Sequence, residues 1–277
     1  MSLDFIKIFH EKQSVFHRSE NRSHRSLLAS MKRLQDKYVL ITGASQGLGR
    51  QLALDFSRHE AAGLALCARN LPPLRELQEQ IRLIAPQTKV LPVEADMSHP
   101  ADIERLFAVT LSEFGGRLDV LINNASALGP VPMPLLLDYP PADFQHVLHT
   151  NLIGPYLAIR EALPAMFERG GSIINVTSDA GIVGYPGWAA YGISKFGLEG
   201  LSQTWAAELA ETPVRVNWVD PGSMNTAMHR AAEPEEDPRS WADPADVTEV
   251  FVYLASDESK TVSGRRFEAQ KFDPVAV

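Results

Sequence analysis

From Lys37 onward, short apolar runs alternate with longer stretches whose apolar residues recur at helical spacing, and this alternation limits the chain to few architectures. Tyr38-Val39-Leu40-Ile41, Leu64–Ala68, Val90-Leu91-Pro92-Val93, Leu118–Ile122, Gly171–Thr177 and Val214–Val219 read as strands, with a short last strand near Arg266-Phe267-Glu268. Helices are predicted at Arg50–Arg58, Pro73–Ile84, Ala101–Phe114, Ala142–Phe167, Tyr191–Leu209 and Pro244–Ala255. Strands that take turns with helices form a parallel sheet covered on both faces. Right-handed crossovers then make one doubly wound α/β domain with a sheet of about seven strands, here spanning residues 35–277. No internal repeat or second domain is visible.

Residues 1–34 differ in composition from the rest of the chain. They are rich in Ser, His, Arg and Lys and lack the apolar core of a secretory signal. Asp4, Glu11 and Glu20 speak against a transit peptide. A loosely ordered N-terminal extension is expected; an amphipathic helix around Phe5, Ile6, Ile8, Phe9 and Phe16, or a start at Met31, are the alternatives. The formal net charge of −8 argues against a general nucleic-acid or anionic-membrane binder. No uninterrupted apolar stretch reaches transmembrane length. The single cysteine, Cys67, sits in an apolar run. It rules out an intrachain disulfide, makes no Cys-based metal site, and suits a cytoplasmic protein.

In a doubly wound sheet, ligands bind beyond the carboxyl ends of the strands. Thr42-Gly43-Ala44-Ser45-Gln46-Gly47-Leu48-Gly49 lies at that edge, between the first strand and its helix. Glycines allow a tight turn and close approach to phosphate, and the helix start offers N–H donors. Ser178 is placed at the same edge by the strand before it. Tyr191 and Lys195, four apart, share one face of the next helix. An ammonium beside a phenol favours the phenolate and would lower the tyrosine pKa from about 10. Such a phenol can exchange a proton with an alcohol or a carbonyl. Taken alone, Y-x-x-x-K is better read as a chance pair on a solvated helix, because such pairs are common.

Together, the spacing Gly43-x-x-x-Gly47-x-Gly49 and the downstream Ser178, Tyr191 and Lys195 resemble the short-chain dehydrogenase/reductase family. Asn123-Asn124-Ala125, Asn151, and Pro221-Gly222 with Thr226 fit the family's further motifs in order, over roughly Lys37 to Ala255. The resemblance implies a Rossmann-type domain and an enzyme that interconverts carbonyls and secondary alcohols with a nicotinamide cofactor. Tyr191 would be the general acid/base. Lys195 would lower its pKa and hold the nicotinamide ribose, and Ser178 would bind the substrate oxygen. Asn151 would keep a water in a proton relay. The cofactor would meet Gly43, Ser45, Gly47, Leu48, Gly49, Arg69, Asn70, Asp96, Met97, Asn124, Ala125, Tyr191, Lys195, Pro221, Gly222 and Thr226. Asp96, with Ser98, also reads as a helix cap, and Asn123 as a structural link between strands.

Three features depart from the family pattern: Ser126 stands where Asn-Asn-Ala is commonly followed by glycine, Ser263–Gln270 lacks the usual Asp-Gly-Gly, and Ala227–Trp241 is acidic. The second strand ends in Ala68, followed by Arg69 and Asn70. An NAD site usually carries an acid there, whereas a guanidinium can grip a 2′-phosphate, so NADP(H) is expected over NAD(H). Gln46, where relatives are often basic, runs the other way. Leu128, Val131, Met133, Ile182, Val183, Tyr185, Trp188 and Met228 are candidates for a pocket that takes a small to medium, partly apolar substrate. Phe144, Ile159, Phe196, Leu201 and Trp205 put apolar surface on more than one helix face, which predicts a homodimer or homotetramer. A non-catalytic NADP(H)-binding sensor or scaffold is the alternative; a nucleotide-sugar epimerase would need a different glycine pattern.

Overall fold

The computed structural model describes residues 32–274. Seven strands form one parallel sheet: β1 (Tyr38–Thr42), β2 (Gly63–Ala68), β3 (Lys89–Glu94), β4 (Val120–Asn123), β5 (Gly171–Val176), β6 (Val214–Asp220) and β7 (Arg266–Glu268), in the order β3-β2-β1-β4-β5-β6-β7. Every adjacent pair is parallel. The order changes direction between β1 and β4, which opens a crevice at the carboxyl edge.

Side chains alternate across the sheet, and each face has its own core. On one face, Val39, Ile41, Leu64, Leu66, Val120, Ile122 and Ile174 are buried. They meet Leu52 and Phe56 of α1 (Gly47–Arg58), Leu74, Leu77 and Ile81 of α2 (Leu71–Ile84), and Phe251 and Leu254 further along the chain. On the other face lie Leu40, Ala65, Cys67, Leu121 and Ile173. They meet Ile103, Leu106 and Phe107 of α3 (Pro100–Glu113) and Ala158, Ile159 and Ala162. Asn123 has the structural role expected of it. Its Nδ2 donates to Asn175 Oδ1 at 2.8 Å, and Asn175 Nδ2 donates to Ser202 Oγ at 2.8 Å.

The helix expected over Ala142–Phe167 is divided. It runs as α4 (Pro141–Leu148), a wide π turn (His149–Ile153) and α5 (Gly154–Met166). Pro155 has no N–H to give to the preceding turn, which favours widening there. Gly154 lets the helix press on the loop after β3, since a Cβ would sit 2.4 Å from the Met97 carbonyl. α6 (Ala189–Glu208) comes after β5. The acidic segment after Thr226 opens with a short helix, α7 (Ala227–Ala232), capped by the Thr226 hydroxyl, which accepts from His229 N–H at 3.2 Å. The helix expected at Pro244–Ala255 is a 3₁₀ turn at Pro244–Val247 and then α8 (Glu249–Ala255).

Most of the N-terminal extension lies outside the described residues. Its last residues are part of the folded body: Arg33 pairs with Glu249 and Glu258, and Leu34 is fully buried in the same core as the residues of α1, α2 and α8. Leu34→Ala should therefore cost about 2–5 kcal/mol, as truncation of a packed leucine does. Urea unfolding of the full chain would measure this, and a change below about 0.5 kcal/mol, the range of ordinary surface substitutions, would contradict it.

Candidate active site

The glycine turn after β1 is held from the neighbouring strand. Thr42 Oγ1 accepts from the N–H groups of Asn124 and Ala125, both at 3.0 Å. Asn124 Nδ2 donates to the carbonyls of Thr42 (2.8 Å) and Gly43 (3.1 Å). The turn is too tight for side chains: a Cβ on Gly49 would lie 2.4 Å from the Gly43 carbonyl, and Gly43 itself has φ +68°. Gln46 does not cap α1 with its side chain, and the first turn carries no acidic residue. Such a helix start attracts an anion through its free N–H groups and dipole.

This turn forms the floor of a cavity of about 430 Å³ at the carboxyl edge of the sheet. Of the residues assigned to a cofactor, Gly43, Ser45, Gly47, Leu48, Arg69, Asp96, Met97, Asn124, Ala125, Tyr191, Lys195, Pro221 and Thr226 line it. Gly49 and Asn70 do not; the first packs against the turn from behind, and the second precedes α2. Gly222 lines an adjoining cavity of about 90 Å³ together with Ser178, Asp179, Trp188 and Met228. Tyr191 lines both cavities.

Asp96 serves the local backbone as well as the cavity. Its Oδ1 accepts from both the N–H and the hydroxyl of Ser98 at 2.8 Å. Burial pushes its pKa up, but these bonds prevail and hold the carboxyl below the usual range. The side chain of Asn151 is engaged at both ends: Oδ1 accepts from Ala127 N–H at 2.7 Å, and Nδ2 donates to Ala127 O and Ser194 Oγ, each at 2.9 Å. It braces the π turn against the loop after β4 and the second turn of α6.

Lys195 is buried, and its ammonium donates to the Val176 carbonyl at 2.8 Å while lying 5.4 Å from the centre of the Tyr191 ring. Burial pushes its pKa down to about 8, against the pull of Asp220 and Glu199. Tyr191 moves opposite to expectation. Loss of hydration raises its pKa above the usual phenol value, Asp220 and Asp179 add to this, and the hydrogen bond with Ser178 offsets only part. The expected lowering by Lys195 is thus corrected: at this distance the ammonium does not outweigh burial and two carboxylates.

Several contributors escaped sequence reasoning. Asp179 accepts from Ser178 Oγ at 2.9 Å and from Tyr185 Oη at 3.0 Å. His229, Met224 and Arg230 also line the two cavities. Of the expected substrate-pocket residues, Leu128, Trp188 and Met228 line the smaller cavity. Val131, Ile182, Val183 and Tyr185 are exposed, outside its lining. No group of three or more His, Cys, Asp or Glu stands ready to hold a metal among the described residues. Nor is any helix there long and apolar enough to cross a membrane.

Residues 37–237 match the family model described as short chain dehydrogenase. The chain belongs to the short-chain dehydrogenase family. Among its relatives is the oxidoreductase YciK of Escherichia coli K12, 33% identical over 86% of this chain and 93% of that protein. The 3-oxoacyl-[acyl-carrier-protein] reductase FabG of Thermotoga maritima is 34% identical, over 84% and 96%. A short chain dehydrogenase structure from Pseudomonas syringae superposes with a TM-score of 0.81 at 34% identity, covering 87% of this chain and 97% of that one. One from Shigella flexneri, complexed with NADP, gives 0.80 at 30%, covering 87% and 99%. As a short-chain dehydrogenase, the chain is an oxidoreductase that binds a nicotinamide cofactor.

Proposed function

We propose that this short-chain dehydrogenase is a cytoplasmic, NADP(H)-preferring enzyme that interconverts a carbonyl and a secondary alcohol on a small to medium, partly apolar substrate. The observation that carries the reading is the place of Tyr191, where the large and small cavities meet. The residues fit a dinucleotide: a glycine turn no side chain would fit, an uncapped helix start and, at the end of β2, Arg69 flanked in sequence by Ala68 and Asn70, with no acid at the strand's end. Ser45 lines the same cavity. The Shigella flexneri relative was solved with NADP, which supports the same choice.

The bound nicotinamide would supply or accept the hydride; the chain's own groups handle the proton. Tyr191 holds its phenolic proton firmly, so near neutral pH it is set to donate to a carbonyl oxygen. Ser178 offers a second hydroxyl to that oxygen. Lys195 stays charged up to about pH 8, and its ammonium eases the negative charge left on Tyr191 after transfer. Leu128, Trp188 and Met228 give the small cavity an apolar wall. Ile153, Tyr156, Ile193 and Phe196 are between 37% and 46% exposed around α5 and α6, and we assign this surface to a contact between copies. Ile159, expected in that contact, is buried in its own subunit's core.

Tyr191→Phe should keep the fold and cofactor affinity but lower turnover about 10²- to 10⁴-fold. A panel of ketones, aldehydes and alcohols followed by nicotinamide absorbance tests this, and unchanged turnover would refute the mechanism. In the wild type, kcat/KM for reduction should be level below pH 7 and fall above about 8, as Lys195 loses its proton. Arg69→Ala should weaken NADP(H) about 10- to 150-fold, the worth of one charged hydrogen bond, and leave NAD(H) unchanged. Tighter wild-type binding of NAD(H) would contradict the preference. Light scattering at micromolar concentration should give at least a dimer mass; a monomer would sink the assignment of the α5/α6 surface.

A further inference from the structure

The end of the chain departs from the family pattern, and two of its side chains reach back to the site. Arg266, on β7, donates through Nε to Glu199 Oε1 at 3.1 Å and through one terminal nitrogen to Asp220 Oδ2 at 2.9 Å. The same nitrogen lies 3.4 Å from the Ser178 carbonyl. Both carboxylates are buried, at 5% and 7% exposure, and each passes the contact on. Glu199 Oε1 accepts from the Thr177 hydroxyl at 2.8 Å, next to Ser178. Asp220 Oδ1 accepts from Gly222 N–H at 2.9 Å.

Gln270, just after β7, acts on the same loop from the other side. Its Nε2 donates to the carbonyls of Pro221 (3.0 Å) and Ser223 (3.1 Å), so the carboxamide straddles Gly222. Gly222 has φ +69°, and a Cβ there would sit 2.5 Å from Gln270 Nε2. The glycine therefore serves both the left-handed turn and the passage of Gln270 across it. The loop from Asp220 to Ser223 borders both cavities. A guanidinium held by two carboxylates and an amide held by two carbonyls fix it with little freedom.

We propose that Arg266 and Gln270 are positioning residues that hold the Pro221–Gly222 loop and Ser178 in place for the nicotinamide half of the cofactor. This rests on reading the large cavity as the dinucleotide site. A buried ion cluster that serves only the fold would act on the whole domain alike. A positioning role acts on one half of the ligand, and that difference is measurable.

The full chain is titrated below its unfolding temperature with NADPH and with 2′,5′-ADP, which carries the adenosine end without nicotinamide. NADH and ADP are run in parallel. Gln270→Ala keeps the ion cluster intact and should weaken NADPH by up to about 30-fold, the worth of two neutral hydrogen bonds, while 2′,5′-ADP binds as before. Arg266→Lys keeps the positive charge but lacks the planar fork that reaches Glu199 and Asp220 from separate nitrogens, and should show the same selective loss. An NADPH to 2′,5′-ADP affinity ratio that stays at the wild-type value in both variants, with NADH and ADP agreeing, would overturn the inference and leave the cofactor reading standing. A wild type that binds neither dinucleotide nor fragment would overturn both.

Discussion

The structure depends on a sheet buried on both faces. Val39 and Ile41 enter one core while Leu40 between them enters the other, and the same division recurs in β2, β4 and β5. A parallel sheet of this kind leaves no open face for a ligand. Polar chemistry is pushed to the carboxyl edge, where strands end in loops and helices begin. The break in strand order between β1 and β4 then decides which loops part. The glycine turn after β1 and the Asn124 loop after β4 flank that break, and the hydrogen bonds through Thr42 and Asn124 keep them in fixed relation.

Beneath this edge lies a concentration of buried charge. Lys195, Glu199 and Asp220 are nearly inaccessible, and Arg266 closes the set with two positive groups facing two negative ones. Burying a charge alone is costly, and removing one member of such a set leaves the others unpaired. The balance explains why Lys195 can keep a titration near pH 8 despite its burial. Without the neighbouring carboxylates, burial would push it lower still. The same carboxylate from β6, Asp220, raises the pKa of Tyr191 as well and helps keep its proton on. One cluster thus stabilises a cation and disfavours an anion a few ångström apart, which suits a group whose first act is to donate a proton.

Much of this is legible in the sequence because it is local. Strands show as apolar runs and helices as periodic ones. A spacing of four brings Tyr191 and Lys195 together, and the Gly43–Gly49 run is marked by its place between a strand and a helix. What sequence reasoning misses lies far apart along the chain. Arg266 meets Glu199 across 67 positions and Asp220 across 46. The π turn is hidden because the apolar spacing runs on through it; Pro155 marks a disturbance there, but the packing of Gly154 against Met97 belongs to the folded chain. The Tyr191 pKa escapes for the same reason. Spacing gives the distance to Lys195, but burial and the carboxylates from β6 and the loop after β5 are properties of the assembled site.

The end of the chain is where these constraints meet. The segment Ser263–Gln270 lacks the usual Asp-Gly-Gly, a departure whose consequence the sequence alone does not give. In the folded chain the same segment supplies Arg266 and Gln270, each placed by the short strand β7 against Trp218–Asp220 of β6. That pairing is only three residues long, so it contributes little to the sheet by itself. Its register matters more: Arg266 opposite Trp218 and Glu268 opposite Asp220 bring the guanidinium over the two carboxylates and carry Gln270 onto the loop after β6. A slip of one residue would turn Arg266 to the other face of the sheet. The last strand is therefore constrained by the site it supports at least as much as by the core it covers.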